Sequence, residues 1–174
     1  LIALYDDTMT PDPVSVEEVC RYLESYAPAR LAEDWDNTGL LIGNMQGVVQ
    51  QVMTCLTVTP ETVKEAIDRQ VQLIVTHHPL PFRPLKTITR STIAGGMVLD
   101  LIEAGIAVYS PHTSFDSAAE GINQQLAEKL GLSKIVPLRP FDNDPDHLGA
   151  GRWGHLETAA TLDQWVAKLC REFS

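Results

Sequence analysis

Short apolar segments alternate with segments of helical periodicity along most of this chain. Three runs rich in β-branched and other apolar residues predict strands: VQQVMTCLTV, VQLIVT and IAVYS. The second run is apolar almost throughout, which indicates burial on both faces. Apolar positions three and four residues apart predict helices in SVEEVCRYLESYAP, TPETVKEAIDRQ, STIAGGMVLDLIEAG, SAAEGINQQLAEKLG and TLDQWVAKLCREF. This alternation predicts an α/β fold in which βαβ units form a mostly parallel or mixed sheet flanked by helices.

Capping signals and turn residues mark the ends of several elements. Ser15 with Glu18, and Thr161 with Gln164, have the spacing of capping boxes at the starts of the first and last helices. The segment KIVPL predicts a short strand at a sheet edge, because Pro137 cannot donate a hydrogen bond within a central strand. The span RPFDNDPDHLGAGRWG predicts a surface loop that leads into one more strand.

Histidines follow two of the predicted strands. His77 and His78 end the segment LIVTHH, and His112 and Asp116 lie in a predicted polar turn after AVYS. The carboxyl ends of parallel strands open on one edge of a sheet, and neighbouring strands lie about 5 Å apart. Neutral imidazoles with a carboxylate suit zinc, iron, manganese or nickel, whereas calcium prefers oxygen ligands alone. The two segments therefore predict a divalent metal site.

Less specific interpretations of the same residues remain open. Consecutive residues of an extended segment point to opposite sides, so His77 and His78 would serve different ions, or one would bind metal and the other support it. Adjacent histidines at a strand end also occur as structural or surface residues, and Asp116 could cap a helix that begins one residue later. His147 and His155 are expected to be incidental surface histidines.

Composition narrows the classes of partner. The length of 174 residues suits one domain, and the net charge of −10 opposes nucleic acid and anionic membrane surfaces but favours cations. No apolar run approaches the roughly 20 residues of a membrane helix, and residues 1–13 are predicted to be a disordered leader without signal-peptide features. Cys20, Cys55 and Cys170 form no C-x-x-C pair and are expected to be buried thiols in a reducing compartment. A cytoplasmic location is expected.

Three ordered motifs make the chain resemble a known family. EDWDNTGLLIG, LIVTHHPLPFRPLK and AVYSPHTSFDSAAEGIN are similar to motifs of the NGG-one-interacting-factor-three-like family, whose members are often labelled GTP cyclohydrolase I type 2 homologues. The later GRWGHLE stretch also fits, so the resemblance covers most of the chain from Val14 to Phe173. It implies the N-terminal part of an α/β fold with two metal ions per subunit, commonly assembled as a ring-shaped homo-oligomer, often a hexamer.

The resemblance also implies roles for individual residues. His77 and His78 match metal ligands of the family, and Asp116 matches its carboxylate ligand. His112 matches a histidine beside the site, interpreted as a support for the ligands or as the catalytic proton carrier. The segment from Trp35 to Asn37 matches a motif near the pocket; without the family, the same residues predict a turn followed by a strand.

The sequence departs from the family pattern near its end. Family members normally continue into a second half whose late His and Glu complete the metal site, whereas this sequence stops at Ser174. We therefore expect residues 14–174 to form a metal-binding domain without the family's C-terminal half. His155 and Glu157 lie before the position of those late ligands and do not inherit their role, although they would share one face of a strand and could form a replacement site. Water, a partner chain or an absent segment would then complete the coordination of two ions.

Two functions are consistent with these features. The first is a metal-dependent hydrolase of cyclohydrolase-like type with an unknown small-molecule substrate. In such an enzyme two neighbouring metal ions would activate a water molecule, and His112 would move a proton. The alternative is a non-catalytic metal-binding or regulatory protein that acts through a ring-shaped oligomer. A dinucleotide-binding enzyme is disfavoured, because IAGGMVLDLIEAG contains no G-x-G-x-x-G. A serine hydrolase is disfavoured by the lack of a G-x-S-x-G motif.

Overall fold

A computed structural model describes residues 13–172 of the chain. All of the predicted leader except its last residue lies outside this described range. The strands are β1 (Val14–Ser15), β2 (Gly39–Ile42), β3 (Val48–Val49), β4 (Val52–Thr57), β5 (Leu73–His78), β6 (Ala107–Ser110), β7 (Leu132–Val136), β8 (Arg139–Pro140), β9 (Gly149–Ala150) and β10 (Trp153–Leu156). The helices are α1 (Val16–Tyr26), a 3-10 turn (Ala29–Leu31), α2 (Pro60–Asp68), α3 (Ile93–Glu103), α4 (His112–Ser117), α5 (Ile122–Lys129) and α6 (Leu162–Glu172).

The main sheet has four strands in the order β2-β6-β5-β4. Strands β4, β5 and β6 are parallel, and Leu73 of β5 lies opposite Val52 on one side and Ala107 on the other. Strand β2, from the turn-and-strand segment after Asn37, pairs antiparallel with β6. The predicted mixed α/β sheet is therefore confirmed, and the two strands that precede the histidine segments are direct neighbours.

Alternate residues of the central strands pack against helices on opposite faces. Leu73 and Tyr109 pack with Cys20 of α1 in one core cluster. Ile74 and Val108 belong to a second cluster, to which α2 and α3 contribute. Leu73, Ile74 and Val108 are fully buried, which explains why these strands are apolar without alternation.

The remaining strands form small separate sheets rather than extending the main one. Strand β7 pairs antiparallel with β10, β8 pairs with β9, and β1 pairs with β3. The KIVPL strand is thus an element of a two-stranded sheet, and Pro137 follows its last residue. The predicted strand VQQVMTCLTV divides into β3 and β4, because Gln50 and Gln51 turn away and donate backbone hydrogen bonds to the Gln72 side chain. The strand expected after the surface loop is β10.

Both predicted capping boxes are present in the structure. The Ser15 side chain accepts from the Glu18 backbone, and the Glu18 carboxylate accepts from the Ser15 backbone. Thr161 and Gln164 exchange the equivalent bonds at 2.9 and 3.3 Å. The helix expected from residue 117 begins only at Ile122, because residues 112–117 form a helix of their own.

The cysteine expectation is correct for one residue only. Cys20 is buried, Cys55 is half-buried and Cys170 is exposed, and all three are free thiols. Cys55 lies on β4, an edge strand of the main sheet, and Cys170 lies on α6, in which no described residue is buried. Within residues 13–172, no helix has the length and apolar character needed to cross a membrane.

Candidate metal centre

His77 and His78 are the last two residues of the buried central strand, not the first residues of the following loop. Thr57 of β4 pairs with His78 in parallel register. The Ser110 hydroxyl of β6 donates to the His77 carbonyl at 2.7 Å, and the Thr76 hydroxyl donates to the His78 carbonyl at 3.2 Å. Both neighbouring strands thus help to fix the backbone that carries the two imidazoles.

His112 and Asp116 lie on a helix, which corrects the prediction of a polar turn. Helix α4 follows β6 after Pro111 and spans residues 112–117, so Asp116 lies inside it and does not cap a helix beginning at Ser117. Residues four apart on a helix share a face. Thr113 and Ser117 are buried, whereas His112 and Asp116, each one residue earlier, are partly exposed. The helix therefore presents both candidate side chains one turn apart.

The structure brings three of the predicted site histidines together. His77, His78 and His112 each offer one ligand nitrogen, and these three atoms lie within 4.8 Å of one another. The ring centroids are 5.0 Å apart for His77 and His78, and 5.2 Å apart for His77 and His112. The Asp116 Oδ1 atom lies beside this histidine cluster, 3.7 Å from His77 Nε2. Among residues 13–172, these three histidines are the one set of three or more His, Cys, Asp or Glu side chains close enough to share a metal ion. Neither His147 nor His155 belongs to it.

A buried carboxylate fixes the His112 ring. The Asp36 side chain is fully buried, and His112 Nδ1 lies 2.7 Å from its Oδ1. The Thr113 backbone N–H donates to the other Asp36 oxygen at 3.1 Å, and the Thr113 hydroxyl donates to the same oxygen. His112 itself has a φ of 34°, a left-handed conformation that is costly for a residue with a Cβ. With Nδ1 used by Asp36, the Nε2 atom of His112 is left as its candidate ligand.

A hydroxyl performs the same function for His78. Thr57 Oγ1 lies 2.6 Å from His78 Nδ1, which leaves His78 Nε2 as the candidate ligand atom. Hydrogen bonds of this kind to the non-ligating nitrogen set the tautomer and orientation of metal-binding histidines. Periodicity did not predict the Asp36 or Thr57 contacts, although the WDN motif placed Asp36 near the pocket.

Burial and hydrogen bonding determine the protonation states at the site. Burial alone would raise the pKa of Asp36, but hydrogen bonds from Thr113, His112 and the Asn37 backbone outweigh it and hold the pKa below its usual value. Burial lowers the pKa of His77, and the nearby His112 and His78 act in the same direction against Asp116. At neutral pH, Asp36 is therefore ionised and His77 is neutral. The contact of His77 with Asp116 is then no ion pair, and the imidazole lone pair is free for a metal.

Two exposed aromatic residues stand next to the histidines. The Trp35 and Phe82 ring centroids lie 6.3 and 6.1 Å from that of His112. The Asn37 amide donates to the Pro81 carbonyl at 2.7 Å and joins the segments that carry the two rings. The sequence motif contained Trp35, but Phe82 was not predicted as a site residue.

Two cavities lie away from the histidine cluster. One of about 580 Å³ is lined mainly by apolar residues such as Leu85 and Ile102, and one of about 510 Å³ lies between α2 and α3. Neither cavity includes a histidine. The histidine cluster is the better candidate site, because it combines converging nitrogen donors with a shifted pKa.

The donor set fits a divalent transition metal. Neutral imidazoles with a carboxylate alongside are ligands that zinc, iron, manganese and nickel accept. The Asp36–His112 hydrogen bond supplies the outer carboxylate that commonly supports such a ligand. The fold and the site together define an α/β protein with a histidine cluster, able to hold a metal, at the carboxyl ends of the parallel strands of a mixed sheet.

Comparison with known proteins identifies the family. The family model described as Duf34/NIF3 (NGG1p interacting factor 3) matches residues 14–174, and the chain belongs to this family. A relative from Clostridium acetobutylicum, named GTP cyclohydrolase 1 type 2 homolog, is 34% identical over 160 residues, which are 92% of this chain and 60% of the relative. NIF3-like protein 1 of Drosophila melanogaster is 36% identical over 87% of this chain and 51% of its own length. The chain thus spans about half to three fifths of these curated relatives.

Solved structures agree with this assignment. A hypothetical protein of Staphylococcus aureus superposes with a TM-score of 0.81 at 26% identity, covering 92% of this chain and 65% of that protein. A Bacillus cereus protein related to NIF3 gives a TM-score of 0.71 at 38% identity, covering 75% of this chain and 36% of that protein. The fold described above is therefore shared with part of each of these proteins.

Proposed function

We propose that this protein binds divalent metal ions through the histidine cluster and acts as a metal-dependent hydrolase of cyclohydrolase-like type. The observation that carries the proposal is the convergence of His77, His78 and His112 within 4.8 Å. Protein hydrogen bonds already orient two of these rings for binding. The names of the relatives suggest a nucleotide or another small heterocycle as the substrate class.

The proposed ligands are His77, His78 and Asp116, with His112 as a third imidazole ligand or as the proton carrier. A bound metal would supply Lewis-acid polarisation of the scissile bond and acidify a water molecule. His112 can serve either role because Asp36 holds its Nδ1 atom and leaves Nε2 without that contact. Three imidazoles and one carboxylate are too few to saturate the two ions proposed per subunit. Water, residues of a longer chain or a second copy in a ring-shaped oligomer would supply the rest.

Metal content tests the first part of this proposal. Purified protein, His77→Ala, His112→Ala and Asp116→Ala are compared by elemental analysis for zinc, iron, manganese and nickel. The matched control is His155→Ala, which removes an exposed histidine outside the cluster. Loss of about one metal equivalent in His77→Ala, but not in the control, is the expected result. Equal metal content in every variant would refute the site.

Turnover tests the second part and separates the two roles of His112. Metal-loaded protein is assayed with GTP, cyclic imides and phosphoesters, with a chelator-treated sample alongside. If His112 carries a proton, His112→Ala retains the metal but loses activity by about 100-fold or more. If His112 is a ligand, metal content and activity fall together. A folded, metal-loaded protein that leaves every substrate unchanged would contradict the hydrolase proposal.

The exposure of the site favours a second candidate function. His78 is exposed, whereas many active sites close over their reacting groups. The second candidate is a non-catalytic protein that stores metal or presents it within an oligomer. This candidate predicts tight metal binding without turnover, and an oligomer detected by light scattering that persists after metal loading. Metal-dependent turnover of any substrate above would refute it.

A further inference from the structure

The proposed metal chemistry leaves two large exposed side chains unexplained. Trp35 is 62% exposed and Phe82 is 44% exposed. Both belong to segments that already hold the site, since Trp35 precedes the buried Asp36 and Phe82 follows the histidine pair by four residues. Large aromatic residues that stay exposed beside converging polar groups are typical of ligand-contact surfaces.

The arrangement of the rings fixes the indole in position. Trp35, Phe82 and His112 are nearly perpendicular to one another, with interplanar angles of 76°, 79° and 80° and centroid distances of 6.1 to 6.3 Å. Edge-to-face contacts of this geometry are favourable for aromatic pairs. The Asn37–Pro81 hydrogen bond holds the two segments together beneath the rings. The exposed indole surface is therefore pre-organised.

We propose that Trp35, supported by Phe82, forms a stacking platform for a planar heteroaromatic ring of a small-molecule substrate. The inference rests on the proposed hydrolase function and names the substrate class of the same site. A ring stacked on Trp35 lies beside His112, so the polar edge of such a ring can face the histidine cluster. An aromatic face can stack on the π-face of any base or similar planar ring.

The size and chemistry of the surface favour a small ligand over a partner protein. The platform consists of two rings, and the histidine cluster and the Asp36 and Asp116 carboxylates lie next to it. A protein interface needs a far larger apolar area with a polar rim, whereas one stacked ring needs only the indole. A second copy of the chain seated on Trp35 is the competing occupant.

Fluorescence and dialysis test the platform without any need for turnover. A chain with Trp153→Phe and Trp165→Phe retains Trp35 as its one tryptophan. Adenosine, guanosine, uridine and nicotinamide are added, with ribose as the non-aromatic control. At least one planar compound is expected to quench Trp35 saturably, whereas ribose does not. Equilibrium dialysis then compares Trp35→Leu, which keeps apolar bulk, with Trp35→Phe, which keeps an aromatic face.

The expected result is a Kd about 5- to 100-fold weaker in Trp35→Leu and within a few-fold of the parent in Trp35→Phe. Metal content should be unchanged in both variants, so loss of the platform is distinguished from loss of the metal site. No saturable quenching by any planar compound, equal affinity in Trp35→Leu, or ribose binding as tight as adenosine would each overturn the proposal. If Trp35 fluorescence changes with protein concentration in the absence of any added compound, a second copy of the chain covers Trp35. That result would also overturn the proposal.

Discussion

Replacement of Asp36 by asparagine tests how the protein prepares His112. The substitution keeps the shape of the side chain but removes the charge that accepts from His112 Nδ1 and from the Thr113 backbone and hydroxyl. In asparagine an NH₂ group replaces one of the two carboxylate oxygens. Either His112 or Thr113 then loses its hydrogen-bond acceptor. Outer-sphere partners of metal-binding histidines contribute about 10- to 100-fold to metal affinity, or about 1.4–2.7 kcal/mol. We expect a loss of this size in Asp36→Asn.

The assay is a zinc competition titration with a chromophoric chelator at pH 7.5. Because a buried donor left without an acceptor also costs about 1–3 kcal/mol of folding free energy, circular dichroism and urea unfolding of the metal-free proteins accompany it. Asp142→Asn, which changes an exposed loop carboxylate, is the matched control. Zinc affinity within twofold of the parent in a folded Asp36→Asn protein would refute the claim that Asp36 acts through His112.

Three further expectations follow from separate features of the structure. Thr57→Val removes the hydroxyl that contacts His78 Nδ1 and should weaken zinc binding several-fold in the same titration; a Thr57→Ser variant that also weakens it would argue against the hydroxyl. Gly95→Ala should lower the free energy of urea unfolding by about 1–3 kcal/mol, because its Cβ would lie 2.3 Å from a carbonyl oxygen of the preceding loop. Gly96→Ala, one residue later with open space, should raise it by about 0.5–1 kcal/mol, and the opposite order would contradict the packing of α3. Burial raises the pKa of Tyr109 to about 12, above its unfolded value of about 10, so its contribution to stability is complete below pH 10 and is lost as pH rises toward 12. Guanidinium unfolding at pH 9 and pH 11 should therefore show a smaller loss of stability for Tyr109→Phe than for the parent.

The sheet and the meeting of the two histidine segments could be predicted because both depend on local signals. Continuous apolar runs identify central strands, and the parallel βαβ arrangement fixes which strand ends share an edge. His77, His78 and His112 follow from that topology. Helix α4 did not follow, because residues 112–117 carry a polar sequence with no apolar periodicity. Thr113 and Ser114 are buried, and the Ser114 hydroxyl donates to the Ala27 carbonyl at the end of α1, so the helix depends on tertiary contacts.

The contacts that orient the rings were not predictable for a related reason. Asp36 and His112 are 76 residues apart, and Thr57 and His78 are 21 residues apart. Nothing in the local pattern around Thr57 distinguishes a hydroxyl that supports a histidine from one that simply suits a β-strand. The Gly95–Gly96 pair shows the same limit, because only the structure reveals that one glycine is required by a close backbone approach and the other is not.

The histidine cluster lies outside the two apolar clusters that cover the main sheet. The two clusters that cover the faces of the main sheet contain none of the histidines, whereas Asp36, Thr57 and Ser110 hold the histidine segments through protein hydrogen bonds alone. The left-handed backbone of His112 and the buried charge of Asp36 are both unfavourable for the stability of the fold. The presence of both unfavourable features at one histidine indicates that the orientation of the His112 ring matters for ligand binding. Asp36 is therefore the informative residue to change.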